Sequence, residues 1–423
     1  MGVIRISGPE ATTIASSLCG RLPPPRQAAL RTFRDAEQQT LDSGLVLVFP
    51  GPASFTGEDV VEIQAHGAPV MLELIMRALI HAGARRARPG EFSERAFIND
   101  RLDLAQAEAI ADLIAAGTEQ AARAATRSLE GELSRRASEL AEALVELRVW
   151  VEAALDFPDE DVDFLADGQV AERAAELAAR TADLLGRARS GRLLNDGVRI
   201  AIVGAPNAGK SSLLNALARR DSAIVTDIPG TTRDVLRETI NLAGLPVTLA
   251  DTAGLREARD QVEIEGVRRA RGEIDSADLL FWVVDASAEE PPAIEDLPSG
   301  LAVLRIDNKI DLVGTEPSVR ECRVGLSATT GAGLDGLESE VGRMLGARTD
   351  SGGEFSARQR HVEAIERAAL HIDRGLDEIN ATASGELLAE ELRSAAEALG
   401  EITGRMSSDE LLGRIFSGFC IGK

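Results

Sequence analysis

Residues 198–220, VRIAIVGAPNAGKSSLLNALARR, give the clearest indication of the fold of the central part of the chain. It opens on a mostly apolar run typical of a buried strand, and the residues after Lys210 have helical spacing. Between them GAPNAGKS, from Gly204 to Ser211, fits the phosphate-loop pattern in the strand–loop–helix setting that the pattern requires. Glycines let backbone N–H groups approach phosphates, and a helix start favours negative charge. We therefore predict a nucleotide site, with Lys210 at the β and γ phosphates and Ser211 on Mg²⁺.

Later segments indicate guanine as the base and argue against a chance match in a glycine-rich loop. DTAG, 251–254, closes a strand with a carboxylate for the Mg²⁺ side and a glycine N–H for the γ-phosphate, and TTR, 231–233, can add a hydroxyl ligand. NKID, 308–311, ends another strand. The Asp311 carboxylate can accept from N1–H and the exocyclic amine of guanine, a donor pair that adenine lacks. A backbone N–H of SA, 327–328, can meet the guanine O6. This order resembles that of Ras-like GTPases and predicts selection of GTP.

The group that orients the attacking water is not the usual one. Ras-type GTPases have Gln directly after D-x-x-G, where this chain has the apolar Leu255, so another group must act. Four acids follow, Glu257, Asp260, Glu263 and Glu265, although a solvated helix start would explain any one of them. In the phosphate loop Asn207 can offer a carbonyl oxygen to a monovalent cation, which would do the electrostatic work of an arginine finger.

The composition is that of a soluble globular protein too long for a single core. The chain has 423 residues, a formal net charge of −23 and 3% aromatic residues. So acidic a chain cannot hold a nucleic acid through its overall charge and would need a local basic patch or a basic partner. No apolar run reaches the roughly 18 residues of a membrane span, no apolar leader opens the sequence, and the three cysteines are far apart. Together these features predict a cytoplasmic protein.

Residues 1–99 mix short apolar runs with turn signals and predict an α+β domain. Strands are predicted at 1–7, 45–50 and 60–67, and a helix is predicted at 68–83.

The next part of the chain is helical. We predict a helix at 104–116, one long helix over 118–154, a break at 156–164 and a second helix at 169–192. The apolar seam of the long helix is Leu129, Leu133, Leu140, Leu144, Leu147 and Val151.

Strand–helix alternation then follows, and it predicts a parallel sheet covered on both faces. Its strands are predicted at 198–204, 247–254, 278–287, 301–311 and 322–328, after which the chain is helical again from 355 to 399. The expected fold is multidomain α/β: an α+β domain at 1–99, a helical domain from 100–195 and 346–423, and an inserted Ras-like P-loop GTPase domain at 196–345. The two helical parts should pack together.

Whole segments of the chain resemble the MnmE family, also called TrmE, of tRNA-modification GTPases. They include FPGPASFTGEDVVEIQAHG and ARPGEFSERAFIND in the first domain, LDLAQAEAIADLI and VEAALDFPDEDVDF in the helical domain, and AIVTDIPGTTRDVLRE and DTAGLRE beside the phosphate loop. The tail LLGRIFSGFCIGK carries the family's terminal C-[IVL]-G-K signature. The resemblance implies a folate-binding N-terminal domain, a helical domain and an inserted G domain.

The resemblance also implies the activity and its partners. The family forms homodimers through the folate-binding domain and a heterotetramer with the FAD protein MnmG. The complex adds an aminomethyl or carboxymethylaminomethyl group to C5 of the wobble uridine, U34, in certain tRNAs. The one-carbon donor is a tetrahydrofolate, the 5,10-methylene or the 5-formyl form. GTP hydrolysis depends on Mg²⁺ and K⁺ and accompanies face-to-face pairing of two G domains.

Carried over by position, the resemblance assigns roles to individual residues. Glu263 matches the proposed catalytic Glu, Ser211 and Thr232 match the Mg²⁺ ligands, and Asn207 with Thr226, Ile228 and Thr231 matches the K⁺ shell. The full GTP-binding set from motifs and resemblance is Asn207, Ala208, Gly209, Lys210, Ser211, Ser212, Thr226, Asp227, Ile228, Pro229, Gly230, Thr231, Thr232, Asp251, Thr252, Ala253, Gly254, Asn308, Lys309, Asp311, Ser327 and Ala328.

The folate contacts that the resemblance implies are Arg5, Glu62, Arg101 and Lys423. Arg101 stands at a position where members of the family usually have Lys; arginine keeps the positive charge but changes the geometry of the hydrogen-bond donors. Without the resemblance the residues themselves favour ordinary interpretations: a charge at a strand end for Arg5, a solvated acid for Glu62, a charge at a helix start for Arg101 and a frayed terminus for Lys423. The family also places a cysteine at Cys420, for which a nucleophilic role competes with that of a buried small hydrophobe.

Two other function classes are open to such a chain. A regulatory GTPase of ribosome or RNA maturation would use the N-terminal domain as a scaffold only, and reduced-folate binding would distinguish it. A membrane-remodelling, dimerising GTPase lacks support, since we find no basic amphipathic helix or lipidation motif.

Overall fold

The computed structural model describes residues 1–156, 169–220, 239–251, 271–288, 300–345, 355–382 and 385–404. The chain divides into two units, one of Met1–Ala111 with Thr403–Lys423 and one of Asp112–Ile402. Within the described residues, none of the helices combines the length and the apolar character that crossing a bilayer requires. The multidomain α/β class expected from the sequence is confirmed.

The first unit is built on a four-stranded antiparallel sheet with the strand order β1-β4-β3-β2. Its elements are β1 (Gly2–Ser7), α1 (Ala11–Cys19), β2 (Ala29–Arg34), β3 (Thr40–Phe49), β4 (Val60–Ala65), α2 (Pro69–His81) and α3 (Glu91–Ile98), followed by α4 (Leu104–Ala115), which runs into the second unit. The predicted strands at 1–7 and 60–67 and the helices at 68–83 and 104–116 are confirmed. The strand predicted at 45–50 is longer than expected.

Alternation along the strands separates two faces of this sheet. Ile4 and Ile6 of β1 point into a core with Phe33, Ile63 and Ile75, each of the last three fully buried. The intervening residues lie on the opposite face, because successive side chains of a strand point to opposite sides. On that second face Val3, Leu30 and Leu45 are exposed apolar side chains, and Arg5 is an exposed charged one.

The second unit joins helices to a seven-stranded sheet. Its elements are α5 (Glu119–Leu129), α6 (Glu132–Asp156), α7 (Gln169–Asp196), β5 (Val198–Gly204), α8 (Lys210–Arg220), β6 (Thr239–Leu242), β7 (Leu245–Asp251), β8 (Leu279–Asp285), β9 (Ala302–Asn308), α9 (Ile310–Val313), β10 (Ser318–Arg320), β11 (Arg323–Gly325), α10 (Leu334–Met344), α11 (Gln359–Thr382) and α12 (Gly385–Thr403).

The single long helix expected over 118–154 is wrong, because the chain breaks it at Gly131. Gly131 has φ of +89°, a left-handed conformation that glycine adopts without a steric penalty, and α5 and α6 lie on either side of it. The predicted apolar seam is confirmed within α6, where five of its residues are at most 3% exposed: Leu133, Leu140, Leu144, Leu147 and Val151. Leu129, at the end of α5, is half-buried.

The two helical parts pack together, as expected. Arg189 of α7 pairs with Glu366 of α11 at 2.7 Å, and the Ser128 hydroxyl of α5 donates to the Ser356 carbonyl at 2.8 Å. The single helix predicted at 355–399 is two helices, α11 from Gln359 and α12 from Gly385. The helix α7 ends four residues beyond its predicted end. Of the predicted break at 156–164, all but residue 156 lies outside the described residues.

The sheet of the second unit has the order β10-β11-β9-β8-β5-β7-β6. The five central strands are parallel, as predicted, and the antiparallel edge strands β6 and β10 were not predicted. The apolar strand residues form the core between the flanking helices, with Ile200, Phe281 and Leu304 fully buried. Parallel strands that are covered on both faces appear in the sequence as continuous apolar runs, which is why the sequence pattern located these strands. The strand predicted at 301–311 ends earlier, at Asn308 before the short helix α9, and the strand predicted at 322–328 is only Arg323–Gly325.

Candidate nucleotide-binding site

The parallel strands bring most of the described nucleotide motifs to one edge of the sheet. Their carboxyl ends are Gly204, Asp251, Asp285, Asn308 and Gly325, all on the same side because the strands run in the same direction. From β5 the chain passes to β6 and β7 on one side and from there to β8 on the other side, so β5 lies at a switch point of the topology. Ligands of open α/β sheets bind at the carboxyl edge beside such a point.

The phosphate loop joins β5 to α8 in a conformation that suits an anion. Asn207 and Gly209 have φ of +65° and +94°, and the Ala208 N–H donates back to the Ala205 carbonyl at 3.2 Å. The Lys210 ammonium donates to the carbonyls of Gly204 at 2.8 Å and Ala205 at 3.0 Å, which holds its charge over the loop. Exposed hydroxyls of Ser211 and Ser212 follow in the first turn of α8. The helix N-terminus and the lysine together make this an anion site.

Asn308, the last residue of β9, joins three of the predicted motifs. Its side chain is 1% exposed; the amide donates to the Ala208 carbonyl at 2.9 Å, and its oxygen accepts from the Ala328 N–H at 3.0 Å. Gly209 makes this approach possible, since a Cβ there would lie 2.2 Å from the Asn308 Nδ2. The phosphate loop, NKID and SA are therefore brought together by a buried amide.

The remaining base-side residues lie around this amide. Ser327 is 1% exposed, and its N–H donates to the Ala332 carbonyl at 2.9 Å. Asp311 is exposed in the first turn of α9, so its carboxylate is open to a ligand. Lys309 has φ of +66° and donates from its ammonium to Asp285 at 2.6 Å. Asp285, which lies in VVDAS at the end of β8, belongs to none of the motifs predicted from the sequence.

Part of the predicted site lies outside the described residues. This holds for Thr226, Asp227, Ile228, Pro229, Gly230, Thr231, Thr232, Thr252, Ala253, Gly254, Glu263, Cys420 and Lys423. Asp251 ends β7 with its backbone opposite Ile202 of β5, and its side chain is not described. The roles given to these residues stay predictions.

The structure brings two of the predicted folate residues together in the first unit. Arg5 of β1 and Glu62 of β4 are register partners, and the Arg5 Nε donates to the Glu62 Oε2 at 3.1 Å. Both line a cavity of about 630 Å³ beside β1, a volume in the range of small-ligand sites. Arg101 is exposed and is not among the residues that line this cavity.

An ion-pair network that the sequence analysis missed forms another wall of the cavity. The Glu91 carboxylate is 5% exposed and accepts from Arg85 at 2.8 Å, from Arg95 at 3.0 Å and from the Arg88 N–H at 2.8 Å. Hydrogen bonds, first those from Arg85, lower the pKa of Glu91 to about 2. Arg95 continues the network to Glu58 at 2.9 Å. The available signal was the run ARRARPGEFSER, in which arginines and glutamates recur at short spacing.

The parallel sheet, the phosphate loop after its inner strand β5 and the NKID motif at the end of β9, two strands away, define a P-loop GTPase. Two family models match the chain, the MnmE helical domain over residues 104–420 and the GTP-binding protein TrmE N-terminus over residues 1–101. The chain is 52% identical to the tRNA modification GTPase MnmE of Erwinia tasmaniensis over 436 residues, which cover 100% of this chain and 96% of that protein. Identity and coverage are the same for the protein of that name from Yersinia pseudotuberculosis. The chain therefore belongs to the MnmE family.

Proposed function

We propose that this chain is the GTP-hydrolysing component of a complex that modifies C5 of the wobble uridine, U34, in tRNA. Its product would carry an aminomethyl or carboxymethylaminomethyl group at C5, with the one-carbon unit taken from a tetrahydrofolate. The observation that carries the proposal is the joint presence, in one chain of this family, of the phosphate-loop site and of the cavity with the Arg5–Glu62 pair. A regulatory GTPase that used its first domain only as a scaffold would not need the second feature.

The nucleotide half of the proposal includes two cations. Ser211, together with Thr232, would hold Mg²⁺, which neutralises charge on the phosphates. Asn207, with Thr226, Ile228 and Thr231, would hold K⁺, which supplies positive charge beside the transferring phosphate. The residue types fit, because Asn207 is exposed and its amide makes no hydrogen bond to another described residue. Glu263 would orient water in place of the glutamine that Leu255 replaces.

Potassium dependence can be tested directly. GTP turnover should be faster in KCl than in NaCl at equal ionic strength, and Asn207→Ala should remove the difference. Asn195→Ala is a matched control, since the Asn195 amide is bonded to Asp196 and not to the loop. Equal rates of the unaltered protein in the two salts would reject this half of the proposal.

The folate half is supported by the chemistry of the cavity. A guanidinium such as that of Arg5 can hold a carboxylate, and Glu62 can accept from the N–H edge of a pterin. Lys423 would contribute a further cation, and Cys420 is a candidate for a chemical role. The folate role of Arg101, which does not line this cavity, stays a prediction from the resemblance. Calorimetry with 5-formyltetrahydrofolate should show binding that Arg5→Gln weakens by about tenfold.

Arg34→Gln is the control for the folate test. It removes an arginine from β2, the opposite edge strand of the same sheet, where the side chain donates to the Gln38 carbonyl. Binding should be unchanged in this variant. If the unaltered protein binds no reduced folate, the folate role is wrong and the scaffold alternative gains.

The partners proposed are a second copy and a MnmG-type FAD protein, in a heterotetramer that acts on tRNA in the cytoplasm. The exposed apolar residues of the first sheet's second face, Val3, Leu30 and Leu45, suit a dimer contact through this unit. The arginines of the first unit at positions 85, 86, 88 and 95 are each paired with a glutamate, which favours a basic partner as the main holder of tRNA. Mass spectrometry of wobble uridines from cells that lack the chain should show loss of the C5 group. An unchanged uridine profile would reject the proposal.

A further inference from the structure

Asp285 has a fixed place at the edge of the nucleotide site. It is the last residue of β8, and its backbone is the register partner of Asn308 at the end of β9. The Ala286 N–H donates to the Asn308 carbonyl at 2.8 Å, which extends the pairing one residue beyond β8. The side chain of Asp285 therefore starts from a backbone position that the sheet determines.

Both carboxylate oxygens of Asp285 have partners. Oδ2 accepts from the Lys309 ammonium at 2.6 Å, and Oδ1 accepts from the Ser287 hydroxyl at 2.6 Å and the Ser287 N–H at 2.9 Å. These hydrogen bonds, first that of Lys309, lower the pKa of Asp285 to about 2, so the group is a carboxylate at neutral pH. The Asp285 and Lys309 side chains are 24% and 28% exposed, so this pair is better shielded from solvent than a fully exposed surface pair.

Lys309 lies between two residues with which a guanine nucleotide would interact. Its Cε is 3.9 Å from the point where a side chain at Gly209 would begin, so the methylene stem passes beside the phosphate loop. Asp311, whose carboxylate is exposed, is only two residues further along the chain. A lysine that was not held elsewhere could pair with that carboxylate and compete with the guanine N–H groups for it.

We infer that Asp285 is a positioning residue of the guanine site, acting through Lys309. It draws the ammonium to the end of β8, keeps the stem beside Gly209 and leaves the Asp311 carboxylate free to accept from the base. The inference rests on the proposed role of Asp311 as the guanine acceptor. Asp285 itself has no direct contact with the base in this arrangement.

The experiment is a double-mutant cycle on GDP affinity, measured by calorimetry on the full chain. Asp285→Asn should weaken GDP binding about tenfold, the size of one hydrogen bond to a charged group. In the Lys309→Met background, where no ammonium can move to Asp311, the same change should alter affinity by less than about twofold. Asp285→Glu keeps the charge and should stay within about threefold of the unaltered protein. The kcat at saturating GTP should be unchanged in Asp285→Asn, since the effect is on the binding of the base.

Asp307→Asn is the matched control. Asp307 lies on β9, one residue before Asn308, and accepts from Arg305 at 2.9 Å and from Arg323, away from the nucleotide motifs. Its loss should leave GDP affinity unchanged. Equal effects of Asp285→Asn in the two backgrounds, or an equal loss in Asp307→Asn, would overturn the inference.

A further variant separates this inference from the proposed function. Asp311→Asn should weaken GDP binding at least as much as Asp285→Asn. If Asp311→Asn leaves GDP affinity unchanged, the proposed guanine acceptor is wrong and the inference falls with it. If Asp311→Asn weakens binding and Asp285→Asn does not, only the positioning role of Asp285 is rejected.

Discussion

The nucleotide site of the second unit and the cavity of the first unit are both lined with charged side chains, but different interactions hold them together. At the nucleotide site a buried amide, Asn308, bonds to backbone groups of two other loops at 2.9 and 3.0 Å. At the cavity the links are ion pairs between side chains, centred on Glu91 with Arg85 and Arg95. Backbone positions follow from strand register, whereas long charged side chains must be ordered individually at a cost in conformational entropy.

This difference predicts different sensitivities. The nucleotide site should respond sharply to added volume, because its loops approach one another closely. The cavity should tolerate small changes in shape and respond to the loss of a buried charge, since removing one partner leaves the others uncompensated. The following variants test the two expectations.

The largest effect is expected at Gly209. Gly209→Ala would put a Cβ 2.2 Å from the Asn308 Nδ2 at a residue with φ of +94°, so the loop must move. GDP affinity should fall by about 100-fold or more. Calorimetry measures the loss, and circular dichroism should show the helices intact.

Gly186→Ala is the control for this substitution. Gly186 is on α7 with no neighbouring atom within 4 Å of an added Cβ, and alanine favours a helix. GDP affinity should be unchanged. An affinity within about threefold in Gly209→Ala would show that the loops of the nucleotide site are not closely packed.

A smaller effect is expected at Glu91. Glu91→Gln keeps the size of the side chain but removes the charge that faces Arg85 and Arg95, and should destabilise the first unit by about 2 kcal/mol at pH 7. Hydrogen exchange of β1 and β4 measures this, because both strands belong to that unit. Glu94→Gln is the control, since the partner of Glu94 among the described residues is Arg88, at 2.8 Å on a more exposed surface.

The same carboxylate gives a pH dependence with a definite sign. The pKa of Glu91 is lowered from 4.5 to about 2, so the carboxylate binds fewer protons in the folded state than in the unfolded state. Its contribution is present above about pH 4.5 and is lost as the pH falls toward about 2. The stability of the first unit should decrease over that window and decrease less in Glu91→Gln. Parallel curves for the two proteins would contradict the role given to this group.

The smallest effect is expected at Arg86. This side chain lines the same cavity but pairs with Glu73 on the surface, with 61% and 40% of the two side chains exposed. Arg86→Gln should change the stability of the first unit by less than about 0.5 kcal/mol. Hydrogen exchange of β1 and β4 is again the measurement. A loss as large as that of Glu91→Gln would show that exposed and buried pairs of this cavity contribute equally.

The same contrast explains what could be predicted from the sequence. The nucleotide motifs are contiguous and lie at the ends of apolar strands, so pattern and spacing suffice to locate Lys210, Asn308 and Asp311. Asp285 was missed because one aspartate after a strand is no motif, and its partner Lys309 is 24 residues away. The residues of the cavity are harder to bring together from the sequence, since Arg5 and Glu62 meet through the register of β1 and β4, and no local pattern shows that register.

Errors in the element boundaries have local causes. A single glycine, Gly131, ended a helix whose apolar seam continued beyond it, so periodicity alone could not show the break. The first half of β3 is polar, with Thr40, Asp42 and Ser43, and it gave no apolar run to mark the start of that strand. In both places a backbone conformation or a pairing partner decided the structure, and neither is visible in the composition of a short window.

We propose that Asp311, three residues after the Asn308 that bonds to the phosphate loop, gives this GTPase its selectivity for guanine. The most direct test is kcat/KM for GTP, XTP and ATP with the unaltered protein and with Asp311→Asn. The unaltered protein should prefer GTP. Asp311→Asn should lose on the order of 2 kcal/mol of that preference, because the guanine donors are left without their acceptor. Unchanged discrimination among the three nucleotides would contradict the account.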